Sequence, residues 1–277
     1  MVSTLDGVRS VLFLPASNPR AIGHARESAA DLVVLDLEDA VKAADKDSAR
    51  AAAVEAVAEG WPMPVAIRIN ASRPDTGLER MPPVEPSAAD CAAVGQSDAD
   101  FVVVPKVEST GIADEVAAAT GKPVLAMIET PYAVMHLREI IAAERLAGLI
   151  AGTNDLAAGL RLPGPERRSA MSMALQSIVC AARIRGIPAW DGVFNDLEDM
   201  IGFEAECAQG HRLGFDGKSL IHPKQIEFCN RAFSPSAEEI ERARRLVEAF
   251  GGGAERFEGQ MIEAMHVETA RRLLGRA

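Results

Sequence analysis

Eight short apolar runs punctuate this chain, each followed by a stretch of helical composition, and this alternation restricts the fold more than any other feature. The runs are SVLFLP (10–15), LVVLDLE (32–38), VAIRIN (65–70), FVVVPK (101–106), VLAMIET (124–130), LAGLIAG (146–152), IPAWDGVF (187–194) and the segment around LGFDGKSLI (213–221). Helices are expected over 19–29, 44–59, 109–119, 131–144, 165–185, 196–209 and 223–232, with a shorter one in PSAADCAAV (86–94). Strand–helix alternation indicates a parallel sheet, and eight units are the number that closes an α/β (β/α)8 TIM barrel. A length of 277 residues suits such a barrel as one unit. A doubly wound sheet would want a Gly-rich turn after the first strand, and FLPASNPRA is not one. Past Phe233, SPS (234–236) opens an amphipathic helix over 237–250. GGG (251–253) then breaks the chain before a last helix near 261–274. The expected division is a barrel over 1–234 and a C-terminal helical lid or oligomerisation arm over 235–277.

The formal net charge of −11 argues against a nucleic-acid partner. No apolar run reaches the roughly 18 residues of a membrane span. The opening MVSTLDGVRSVLFLP lacks the basic and long apolar regions of a secretory leader. The four cysteines are scattered without a C-x-x-C, which fits reduced, mostly buried thiols in a cytoplasmic protein.

The stretch LVVLDLEDAV raises the functional question. It begins as a buried strand and ends in Asp36, Glu38 and Asp39. Burying one carboxylate costs several kcal/mol unless it is paired or metal-bound. Stability has no use for three, whereas a site at the C-terminal end of a barrel strand does. Polar residues recur where the other runs stop: Arg68 and Asn70, Lys106, Glu129, Asn154 and Asp155, Asp191, and Asp216 with Lys218. Glu129 and Asp155 end neighbouring strands and can converge on one ion. Oxygen donors of this kind suit Mg²⁺, with Mn²⁺ as a substitute. The five histidines show no zinc spacing, and there is no G-x-S-x-G elbow or Cys/His nucleophile signature. His222, just past the eighth strand, is either a ligand contact or a structural cap.

RSVLFLPASNPR, DLVVLDLEDAV, AIRIN, VVVPKVES, MIETP, AGTNDLA and FDGKSLIHPKQI occur in the order seen in the citrate lyase beta-subunit-like family. That family is the acyl-CoA lyase branch of the metal-dependent aldolase/citrate lyase superfamily, and this chain resembles it from about residue 9 onward. The resemblance implies a TIM barrel, Mg²⁺, a trimeric or hexameric assembly, and CoA thioesters of 3-hydroxy dicarboxylic acids as substrates. It makes Glu129 and Asp155 the metal ligands and Arg68 the residue that binds substrate oxygens. Glu38 and Asp39 match the acidic residues around the metal's waters. Phe13, Asn18 and His24 fall where relatives touch the CoA or acyl part, with Arg20 close by. Asn154 stands beside the metal ligand Asp155, and Ile221 and His222 match a backbone-rich contact to the cofactor. In GQMIEAMH (259–266), Glu263 stands where relatives carry an aspartate that enters the neighbouring subunit's site as general acid/base.

The implied reaction is Claisen-type cleavage or formation of malyl-, citramalyl- or citryl-CoA, giving acetyl-CoA and a 2-oxo acid. Four alternatives stay open. They are a malyl-CoA-type thioesterase, a citrate lyase beta chain acting on a carrier-bound thioester, a non-catalytic acyl-CoA binder, and a CoA-free aldolase of the sister branch. The binder needs no metal pair, and the sister branch relies on an early histidine base that LDLEDAV does not offer.

Overall fold

The eight runs close into one parallel barrel, as the alternation predicts. The computed structural model describes residues 5–73, 83–164 and 167–275. The barrel strands are β1 (Ser10–Pro15), β2 (Leu32–Asp36), β3 (Val65–Arg68), β4 (Phe101–Val104), β5 (Val124–Ile128), β6 (Leu146–Ala151), β7 (Ala189–Asp191) and β8 (Gly217–Leu220). Each pairs with its sequence neighbours, and β8 returns to β1. Several strands stop short of the apolar run that announced them. Glu38, Asn70 and Glu129 therefore lie just beyond the strands, with Glu38 and Glu129 at the barrel's C-terminal mouth.

Strand alternation splits the apolar residues into two layers. Val11, Val34, Ala66, Val103, Leu125, Met127, Ile150 and Trp190 point inward and fill the barrel. Val33, Leu35, Ile67, Val102, Val104, Ile128 and Leu149 point outward under the helices. Trp190 is fully buried and donates its indole N–H to Val8 O at 2.8 Å. Gly148 makes room for it, because a Cβ there would lie 2.5 Å from the indole.

Several elements differ from expectation. The helix expected over 131–144 is two short pieces, Pro131–Met135 and Leu137–Ile140. The one expected over 196–209 runs Met200–Leu213, and the one over 223–232 opens with a 3₁₀ turn. The helix expected over 165–185 begins partly outside the described residues, at 165 and 166; Ser172–Arg185 forms its main part. The last helix begins at Ala264, and a hairpin of Glu255–Phe257 with Gln260–Ile262 precedes it. Its turn residues Glu258 and Gly259 both have positive φ, 47° and 80°. That is the tight hairpin geometry whose twist matches paired strands.

The tail has its own small core of Ala243, Leu246, Ile262, Val267 and Ala270. Its helix Ala264–Leu274 places Thr269, Arg272 and Leu273 beside Arg183, His211 and Phe233. Arg272 also lines a groove with Arg9, Leu146, Pro188 and Asp216, at the N-terminal ends of the barrel strands. The tail thus packs away from its own barrel's C-terminal mouth. Among the described residues no helix is long and apolar enough to cross a membrane. All four cysteines are free, and only Cys180 is exposed.

Candidate active site

The inward face of the strands leads directly into the site. Val34 is followed two residues on by Asp36, Ala66 by Arg68, and Met127 by Glu129, so the same alternation that buries the apolar residues aims these groups into the barrel mouth. A pocket of about 360 Å³ lies there, with Phe13, Arg68, Met127, Glu129, Asn154 and Asp155 among its walls.

Register brings Arg68 to Asp36, since the two are direct partners across β2 and β3. Arg68 Nε donates to Asp36 Oδ1 and Nη2 to Oδ2, both at 2.6 Å. Asp36 also accepts the backbone N–H groups of Glu38 (2.8 Å) and Ala40 (3.1 Å), so the acidic turn folds back over its own strand end. Arg68 Nη1 is 3.1 Å from Glu38 Oε2 and 3.5 Å from Asp39 Oδ2, and the guanidinium lies 5.4 Å from the Phe13 ring centroid. Burial opposes the charge on Arg68, but the hydrogen bonds and charge of Asp36 outweigh it and hold the pKa above its ordinary value.

This arrangement refines the expectation for the acidic cluster. Arg68 neutralises Asp36 directly, and Lys106 Nζ donates to Glu38 Oε1. Asp39 stays at the rim with its side chain 65% exposed. Burial nevertheless pushes the Glu38 pKa up, against the opposing charges of Arg68 and Lys106. Asp36 and Lys106, which the sequence places among the strand-end polar residues without a role, are the partners of Arg68 and Glu38. Their signal was available for Asp36, which shares strand parity with Val34.

Glu129 is buried, and its Oε1 accepts the backbone N–H of Lys106 at 2.7 Å. Burial, reinforced by the charge of Glu38, raises its pKa to about 8. Ile128 pairs with Ala151, which sets Glu129 beside Gly152. A Cβ on Gly152 would lie 2.3 Å from Glu129 Oε2. Asp155 follows in the first turn of the helix Thr153–Gly159, half-buried on the same pocket wall.

These residues fit a hard divalent cation. Ionising the buried Glu129 is unfavourable unless a cation offsets the charge, and Glu38, whose Oε2 meets the Arg68 guanidinium at 3.1 Å, adds to the negative potential there. Among the described residues no group of three or more His, Cys, Asp or Glu is placed to hold a metal. An ion held by Glu129 and Asp155 would therefore draw its remaining oxygens from solvent or substrate, which is the habit of Mg²⁺.

The structure sorts the other candidates. Ile221 lines the pocket with Phe13, and both continue into an adjoining groove with His24 and His222. His222 is also a structural cap, with Nδ1 accepting the Lys224 N–H at 3.1 Å. Asn18 and Arg20 are exposed at the start of the helix Pro19–Arg26, where Asn18 Oδ1 caps the Ala21 N–H at 3.1 Å. Asn154 exchanges two hydrogen bonds with Asn195 at the pocket edge. Glu263 is exposed at the N-cap of the last helix, and its N–H donates to His266 Nδ1 at 3.0 Å.

Four strand-end polar residues do not join the mouth. Asn70 lies past the end of β3 and donates to Asp90. Asp191 and Lys218 point outward from β7 and β8, opposite in parity to Trp190 and Ser219. There they form a buried network with Arg168 and Glu206. Asp216 precedes β8, so it lies at the opposite end of the barrel, paired with Arg183.

Residues 9–223 match the HpcH/HpaI aldolase/citrate lyase family. The chain belongs to that family. A curated relative from Cereibacter sphaeroides, a (3S)-malyl-CoA thioesterase, is 39% identical over 97% of this chain and 94% of its own length. The citrate lyase subunit beta of Escherichia coli is 33% identical over 97% of this chain and 93% of its own. Among solved structures, Mycobacterium tuberculosis CitE in complex with magnesium, acetoacetate and coenzyme A is 32% identical. It has a TM-score of 0.81 and covers 97% of both chains. This family member is thus an enzyme of the aldolase/citrate lyase superfamily.

The raised pKa of Glu129 has a measurable consequence. A carboxylate must be ionised to hold a cation, and below about 8 the metal-free carboxyl keeps its proton. Mg²⁺ uptake near neutral pH should therefore release about one proton, with affinity falling as pH drops below that value and levelling off above it. Calorimetric titrations in buffers of different ionisation enthalpy read this directly. Heat independent of the buffer rules the linkage out.

Proposed function

We propose that the chain is a Mg²⁺-dependent carbon–carbon lyase that cleaves or forms a 3-hydroxy-dicarboxylic acyl-CoA thioester of the malyl-, citramalyl- or citryl-CoA class. One observation carries the reading: an anchored guanidinium, Arg68, shares a pocket with the cation-type carboxylates Glu129 and Asp155. Mg²⁺, when bound, supplies Lewis acidity that favours ionisation of the substrate hydroxyl and polarises the forming 2-oxo group.

The chain's own residues perform the rest. The Phe13–Ile221 wall and the groove past His24 and His222 take the apolar and CoA part. Asp36 occupies Nε and Nη2 of Arg68, and Nη1 faces Glu38 at 3.1 Å and Asp39 at 3.5 Å, so substrate oxygens would meet the guanidinium face or take a place beside Nη1 at the rim. That cation stabilises the negative charge that develops on the thioester oxygen as the C2–C3 bond breaks. The hydroxyl gives up a proton and the enolate carbon takes one, and Glu263 of a neighbouring copy is the proposed acid/base that accepts the first and returns it as the second. Met261 and Met265 flank it, 67% and 62% exposed, an apolar setting suited to cover by another chain. The proposed assembly is a homotrimer or hexamer.

Glu263→Gln should keep Mg²⁺ and substrate affinity while lowering kcat by about 10²-fold or more. Glu263→Asp should retain part of the activity. A wild-type rate in Glu263→Gln, or a monomer in sedimentation, removes the tail from the mechanism.

A second reading is hydrolysis of the same thioester, supported by the thioesterase relative at 39% identity. Product analysis separates the two. Incubating malyl-CoA with the protein and Mg²⁺ should yield acetyl-CoA and glyoxylate for a lyase, and malate with free CoA for a thioesterase. Activity of the isolated chain on free CoA esters also argues against a carrier-bound substrate. No turnover of malyl-, citramalyl- or citryl-CoA would overturn the substrate class.

A further inference from the structure

Lys106 lies in the turn two residues past the fourth barrel strand, yet it has no part in the chemistry derived above. Its backbone is left-handed, with φ of 52°, a conformation unfavourable for a residue with a side chain. Only three non-glycine residues adopt positive φ among those described, and the other two, Arg161 and Glu258, stand outside the pocket. Such an outlier persists only where its surroundings hold it.

Two contacts leave from this one residue. Its N–H donates to Glu129 Oε1 at 2.7 Å, and its ammonium donates to Glu38 Oε1. With Oε1 held from the β4 side, Glu129 Oε2 is turned toward Gly152, on the side that carries Asp155. The same turn thus orients one carboxylate through the main chain and a second through the side chain. Lys106 does not line the pocket that holds Arg68. It lines a separate cavity of about 780 Å³ that reaches Glu129 and Asp155 from the other side.

We propose that Lys106 is a positioning residue for the acidic pair, its left-handed turn aiming Glu129 at the cation site while its ammonium holds Glu38 beside Arg68. The inference rests on the cation reading of Glu129 and Asp155 given above. It requires that Lys106 act through Glu38, not through its charge alone. The two possibilities have opposite signs. Deleting a cation beside a Mg²⁺ site strengthens binding by charge alone. Releasing a carboxylate that orients the site weakens it, and supporting residues of this kind typically contribute about 10–100-fold to affinity or activity.

The test is Mg²⁺ calorimetry on the full chain for wild type, Lys106→Met, Glu38→Gln and the double variant, with kcat and KM for malyl-CoA alongside. Lys106→Met keeps the N–H to Glu129 and removes the ammonium. It should weaken Mg²⁺ binding by about 10-fold, and the double variant should bind no more weakly than the poorer single one. Lys106→Arg should recover most of the loss. Lys106→Gly, which takes the left-handed turn without strain, should match Lys106→Met and guards against a folding defect. Unchanged or tighter Mg²⁺ binding in both Lys106→Met and Lys106→Gly overturns the inference. Losses that simply add in the double variant also overturn it. A wild-type chain that takes up no Mg²⁺ overturns the cation reading itself, and this inference with it.

Discussion

Glu129→Gln is expected to abolish Mg²⁺ binding and lower kcat by about 10³-fold or more, the rate equivalent of several kcal/mol of lost charge stabilisation. The amide keeps the shape of the side chain but offers no anionic oxygen. Stability should move the other way. The Glu129 carboxyl has a folded pKa of about 8, above its ordinary value, so the folded state binds the proton more tightly than the unfolded one. Its folding penalty begins as pH rises past the ordinary carboxyl range and is complete above about 8. Metal-free Glu129→Gln should thus unfold at the same temperature as metal-free wild type or higher on the alkaline side. Gly152→Ala should reproduce the loss of Mg²⁺ without touching a carboxylate. The new Cβ would stand 2.3 Å from both Cβ and Oε2 of Glu129. The Cβ contact cannot be relieved by a side-chain rotation, so the strand ends must part. Full activity of either variant, or of wild type in excess chelator, contradicts the assignment.

Arg68→Lys should lower kcat by about 10²-fold, the scale of losing one oxyanion donor, with KM changed only a few-fold. Lysine keeps the charge but not the planar fork that meets both oxygens of Asp36 at 2.6 Å. Its ammonium would be drawn to Asp36, Glu38 or Asp39 without a fixed direction toward the substrate. Asp36→Ala tests the other half of the pair. It leaves the buried guanidinium only Glu38 at 3.1 Å and Asp39 at 3.5 Å, and should cost up to about 3–5 kcal/mol of stability, read as a fall in the denaturation midpoint. Normal kcat with a raised KM in Arg68→Lys would confine the arginine to binding.

Much of this was legible in the chain because its signals are local. Apolar runs and helical stretches set the number and order of the βα units, and strand ends marked where polar groups could gather. Glu129, Asp155 and Arg68 fall at such ends and do meet in one pocket. The tail hairpin was also written locally, in the Glu258-Gly259 turn, but its strands of three residues are too short to show a period.

What the sequence by itself determined was therefore the eight-unit alternation and the set of polar residues available at strand ends. Only the tertiary structure decided which of them face one another. Side-chain direction reverses at every residue of a strand, so the position of a strand end to within one residue chooses between the barrel interior and the helix layer. Asp36 turns inward to Arg68, whereas Asp191 and Lys218 turn outward to Arg168 and Glu206. Where a strand begins matters equally, and it sends Asp216 to the far end of the barrel. Pairing across strands is a matter of register between segments distant in the chain. It joins Asp36 to Arg68 and Ile128 to Ala151, and no local composition encodes it.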